Sequence, residues 1–157
     1  MLKYIFPLLI LASMFVLNTG CDRGYVFQKE IEIPEKGWYY NNALIFDFEI
    51  EDISKKYNLL LNIDHAGDFG FQNLYVKFQT TYPSGEKKTQ VVSLELANKS
   101  GIWNGRCSGN TCSVEIPLQS HAVFAEKGSH HILVEQYMRR DPVQGIRNME
   151  LKIVVAE

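Results

Sequence analysis

The residues best equipped for chemistry in this chain are its three cysteines, Cys21, Cys107 and Cys112. Cys107 and Cys112 bound the stretch "CSGNTC", whose Gly-Asn-Thr centre turns easily. In an oxidising compartment the pair is expected to form a local disulfide. It would close a very short loop and contribute about 2 kcal/mol by loop entropy. Two free thiols flanking a turn are the alternative reading. A zinc site is disfavoured, because no second ligand pair stands at a zinc-like spacing. Cys21 is left over, and an odd thiol in an exported chain calls for a role of its own.

The segment before Cys21 supplies one. Lys3 is followed by "YIFPLLILASMFVL", Tyr4 to Leu17, without a charge. That run is shorter than the roughly 20 apolar residues of a membrane-spanning helix. A positive start, a short apolar stretch and small residues at its end describe an export signal. Residues 1–20 are therefore read as a signal, and 21–157 as one domain of ordinary size. An uncleaved membrane anchor is the alternative. Leu17, Thr19 and Gly20 precede Cys21 as at a bacterial lipoprotein processing site, where the cysteine sulfur receives diacylglycerol and becomes the new N-terminus. That step needs a thiolate nucleophile. Asn18 stands where such sites usually carry Leu. The competing reading is an ordinary cleaved signal with a coincidental cysteine. Membrane lipid, through acylated Cys21, is thus an expected partner, and the cell envelope, at the outer membrane, the expected location. Without Lys3 the chain holds 15 basic against 18 acidic residues, a net charge of −3. With no long basic run, nucleic acid is not an expected partner.

Other catalytic chemistry is poorly supported. The histidines are His65, His121, His130 and His131. His130 and His131 are adjacent in a predicted strand, so they point to opposite faces. "DHAGD" gathers Asp64, His65 and Asp68 in a predicted loop that could touch a cation, but a solvated connection is the simpler reading. No GxSxG, HExxH or P-loop pattern occurs. The expectation is a non-enzymatic protein with no metal and no cofactor.

Binding chemistry is better represented. Trp38, Tyr39 and Tyr40 form "GWYY", and Trp103 sits in "GIWNG". Exposed aromatics stack on sugar rings or anchor protein interfaces. The plainer reading is that at least one of the three fills the core and that Trp103 covers an open end of the fold. In "QYMRRDPVQGI", Arg139 and Arg140 precede an Asp141–Pro142 turn. The structural reading is an Arg–Asp pair that pins the loop; the functional reading is an Arg-bearing contact patch.

The elements that position these residues read as strands. Alternation of period two runs through "ALIFDFEI", "YNLLLNID", "NLYVKFQTTY", "TQVVSLEL", "CSVEIPL", "HHILVEQYM" and "NMELKIVVA", with an earlier strand at Val26–Ile33. Turn signals such as "YPSGEKK" separate them. About eight strands, each with one apolar and one polar face, predict an all-β antiparallel sandwich of jelly-roll type. A closed barrel is the second choice.

In order, "GWYYNNALIFDFEIED", "YNLLLNIDHAGDFGFQNLYV", "LANKSGIWNG" and "QYMRRDPVQGI" resemble the gliding-motility lipoprotein GldH family of Bacteroidetes-type bacteria. The carrying residues are Gly37–Trp38, Tyr57–Leu59, Asn73–Tyr75, Gly101–Trp103–Gly105, Met138–Arg139 and Gly145–Ile146. The resemblance covers nearly all of 21–157, and the Cys107–Cys112 pair lies outside its common pattern. It implies a lipid-anchored envelope protein associated with gliding motility and with the machinery that moves and secretes surface adhesins. Other envelope or motility proteins are the implied partners. A glycan-binding envelope lipoprotein is the alternative.

Overall fold

The computed structural model describes residues 24–157. The signal at 1–20 and Cys21 lie outside the described residues. Nine strands follow in order: β1 (Tyr25–Glu32), β2 (Leu44–Ile50), β3 (Tyr57–Ala66), β4 (Asn73–Thr81), β5 (Lys87–Glu95), β6 (Arg106–Ser108), β7 (Thr111–Ala122), β8 (Gly128–Gln136) and β9 (Ile146–Val155). Alternation decides which face of each strand is buried. Leu44, Phe46, Phe48 and Ile50 of β2 point inward, while Ile45, Asp47 and Glu49 face water. Each inward side chain contributes about 1.5–3 kcal/mol of burial. β3 does the same with Tyr57, Leu59, Leu61 and Ile63, and β9 with Met149, Leu151 and Ile153.

The strands form two sheets, ordered β1-β9-β3-β7-β6 and β2-β8-β4-β5. β1 pairs with β9, β2 with β8, β3 with β7 and β4 with β5, all antiparallel. Setting β6 aside, strands pair from the two ends of the chain inward, and the paired ribbon is then rolled into two layers. That is the jelly-roll order. The sheets keep separate edges, so the barrel alternative does not apply. The short strand β6 is the addition to the eight expected. It pairs with β7 in a hairpin closed by the Cys107–Cys112 disulfide, whose cysteines face each other in register.

Two polar placements refine the sequence reading. β3 runs on through His65 to Ala66, so His65 is a core residue rather than a loop residue. Asp64 and His65 then face opposite sides of the sheet and do not converge on one ion. His130 is equally buried and stacks on Phe48 at 5.4 Å, whereas His131 is exposed and meets Asp47 at 2.7 Å. On the outer face of the first sheet, Lys152 lies 3.2 Å from both Glu115 and Glu150. Burial pulls its pKa down, but the two carboxylates outweigh burial and leave it above the usual lysine value.

Strand direction divides the connections between two ends. The β1–β2, β3–β4, β5–β6 and β8–β9 loops gather at one end, here the loop end. Tyr25, the β2–β3 and β7–β8 loops and the β4–β5 turn gather at the other. Ser84 N–H and its hydroxyl donate to Glu126 at 2.7 and 2.9 Å there, tying two of these connections together.

Candidate functional site

The loop end is built around a tie between two loops. Trp38 N–H donates to Val143 O at 2.8 Å and Val143 N–H donates to Trp38 O at 2.9 Å. The indole is fully buried, and its Nε1–H donates to Asn42 O at 2.7 Å. Gly37 lets the loops meet this closely. Its φ is +110°, and a Cβ there would lie 2.8 Å from Pro142 Cβ and 2.9 Å from Val143 O. No L side chain fits that position without displacing the partner loop.

The β8–β9 loop is also held from within. Gln136 is almost fully buried. Its Oε1 accepts from Met138 N–H at 2.9 Å, and its Nε2 donates to Arg140 O at 3.0 Å. Tyr40 adds two bonds from the β1–β2 loop: its N–H donates to Asp141 Oδ1 at 2.9 Å, and its hydroxyl donates to Met138 O at 2.5 Å. Four polar contacts from Gln136 and Tyr40 thus hold the chain around Arg139 and Arg140.

These contacts correct one expectation. Asp141 does not pair with either arginine; its carboxylate is engaged by the backbone of Tyr40. Among the described residues neither guanidinium enters an ion pair. Arg140 stands 5.8 Å over the Phe71 ring, a cation–π placement. Arg139 borders a shallow depression together with Tyr40, Lys77, Glu135 and Tyr137.

The six residues named as a candidate surface therefore separate into two groups. Trp38 is a fully buried brace, which removes it from any contact surface. Trp103 is half-buried; its Nε1–H donates to Gly67 O at 3.1 Å and its ring meets His65 at 4.5 Å. It covers the end of the core beside β3. Tyr39, Tyr40, Arg139 and Arg140 are exposed. Tyr75 and Tyr137 stand beside them, joined by a backbone bond of 2.8 Å and both exposed. Nothing in the residue pattern singles these two out, since outward residues of a strand look alike whatever they face. Gln136 was also missed, because a glutamine in an alternating run reads as a surface residue.

The chemistry on offer is recognition. Guanidinium groups bind carboxylates in a forked geometry, and exposed tyrosines supply rigid amphipathic area.

Comparison with known proteins agrees with the resemblance in the motifs. A sequence model of one protein family, GldH lipoprotein, matches residues 25–153. The Gliding motility lipoprotein GldH homolog of Christiangramia forsetii is 24% identical over 146 residues, covering 92% of this chain and 89% of the relative. The Gliding motility lipoprotein GldH of Flavobacterium johnsoniae is 28% identical over 144 residues, covering 91% and 87%. The chain belongs to the GldH lipoprotein family.

Proposed function

We propose that this member of the GldH lipoprotein family is a non-enzymatic, lipid-anchored protein of the cell envelope. Residues 1–20 are its export signal, and Cys21 carries the lipid at the outer membrane. The body binds other envelope proteins that serve gliding motility and its associated secretion machinery. The names of the two relatives support the motility assignment.

One observation carries the binding role. The braced loop that holds Arg139 and Arg140 lies at the end of the sandwich opposite Tyr25, where β1 begins. Cys21 is four residues before Tyr25, so the tether spans at most about 14 Å. An anchor at Cys21 therefore turns the loop end away from the membrane and toward partners.

Deletion of the gene, followed by assays of colony spreading and protein secretion, tests this. Loss of both, restored by the wild-type chain, is expected. Intact mass should exceed the polypeptide from Cys21 by a lipid modification. Cys21→Ser should leave the protein unlipidated, in the soluble fraction and unable to restore the deletion. Normal spreading and secretion in the deletion, or unchanged membrane attachment of Cys21→Ser, would contradict the proposal.

A glycan-binding role rests on the exposure of Tyr39 and Tyr40 beside Tyr137. A glycan array without hits ends that reading.

A further inference from the structure

Among the described residues the two sheets end in β1 and β6 and in β2 and β5, and these edges are not equally protected. β2 is covered by β1, whose Lys29 ammonium donates to Ile45 O at 2.9 Å. β7 is covered at its start by the disulfide-closed β6 and carries Pro117 farther along. Both are devices that stop strand addition. β5 has neither, and among the described residues no strand pairs with its outer edge.

The outward groups of β5 follow from the hydrogen-bond alternation of an antiparallel pair. Tyr82 N–H donates to Glu86 O at 2.9 Å, so in the β4–β5 register Val76–Val92 and Phe78–Gln90 exchange bonds. Tyr75 agrees: its carbonyl accepts from Tyr137 on the β8 side, so its partner Ser93 is turned away from β4. Thr89, Val91 and Ser93 thus direct N–H and C=O outward.

Beside this edge the two sheets part. A cleft of about 320 Å³ opens between β5 and β7, lined by Leu59, Phe78, Val92, Ile116 and Leu118. Lys88 is the one charged residue on its lining. A strand laid on β5 would direct alternate side chains into this cleft, in line with Val92 and Leu94.

We propose that β5 is a docking edge for an extended segment of a partner protein, which adds as a fifth strand to the second sheet. Alternate apolar residues of that segment fill the cleft, and an acidic residue meets Lys88. The unpaired backbone selects a polypeptide, since an acyl chain would leave it unbonded. This surface is separate from the loop end, and the inference stands or falls independently of it.

The test is photo-crosslinking of the full-length protein in cells, with p-benzoylphenylalanine placed in turn at Thr89, Val91 and Ser93. All three positions should link to one segment of one protein, at sites that step by two residues. Val91→Pro removes an outward N–H without touching the β4 bonds, and should lower the yield at Thr89 about tenfold, the equivalent of 1.4 kcal/mol. Lys88→Glu, a change at an exposed position, should also lower it. Links to lipid, links scattered over several proteins, no links, or yields unchanged in both variants would overturn the proposal.

Discussion

Trp38 and Val143 exchange both of their backbone hydrogen bonds, at 2.8 and 2.9 Å, across 105 residues of chain. The pair joins the loop after the first strand to the loop before the last. The buried indole is held in its own loop by Asn42 O, the backbone exchange ties the second loop to it, and Arg139 and Arg140 stand on that second loop.

Trp38→Ala should cost about 3–5 kcal/mol, the usual range for emptying a buried Trp site. Trp38→Phe should cost less, because it keeps most of the apolar volume. Denaturant unfolding reads both. A loss under 1 kcal/mol in the alanine variant, well below the range for such sites, would remove the brace from the account.

Much of the fold is legible in the alternating runs. Period two in "ALIFDFEI" puts Leu44, Phe46, Phe48 and Ile50 on one face, and all four are buried. The ends are less legible. β3 extends into "DHA" because His65 finds the Trp103 and Phe69 rings inside, and adjacency in sequence says nothing of rings from other loops. β6 is three exposed residues, too short for a period and held by pairing to β7. The loop end was legible as a set of unusual residues but not as an arrangement. Asp141 lies next to Arg140 in the chain, yet its partner is Tyr40, 101 positions away.

Gly105 marks a close approach of backbones. A Cβ there would lie 1.9 Å from Ser113 O. Gly85, in the β4–β5 turn, has φ +87° but open space around it. Gly85→Ala should therefore cost about 1–2 kcal/mol, from backbone conformation alone. Gly105→Ala should cost about 3 kcal/mol or more, from overlap with β7. Equal midpoints for the two variants in urea would contradict this difference.

The Cys107–Cys112 bond should act locally. Replacing both cysteines by alanine should cost about 2 kcal/mol by loop entropy. The exposed backbone of β6 should lose its hydrogen-exchange protection while β9 keeps its own. Unfolding of the whole domain in the double variant would assign the bond a larger role.

Asp52 provides a pH test at the opposite end. The Ser54 hydroxyl donates to its carboxylate at 2.6 Å, the Ser54 N–H donates at 3.0 Å, and Lys55 stands at 3.5 Å. The Ser54 bonds, with help from Lys55, hold its pKa below the usual aspartate value. A carboxyl with a lowered native pKa stabilises the fold above its unfolded pKa, about 3.9. That contribution fades as pH falls through the native value. Carboxyl chemical shifts should show Asp52 titrating below the ordinary range and Ser54→Ala moving it upward. An unchanged titration in Ser54→Ala would contradict the assignment.

Binding of envelope partners through the braced loop end is the role proposed for this lipid-anchored sandwich. It is tested most directly by co-purification from gently solubilised membranes, comparing the wild-type chain with Arg139→Glu/Arg140→Glu. Neither arginine enters an ion pair among the described residues, and the double variant loses only the placement of Arg140 over Phe71, so the fold should lose no more than about 1 kcal/mol. A defined complex is expected with the wild type, and its loss in the double variant. Recovery of the complex at wild-type yield from the double variant would contradict it.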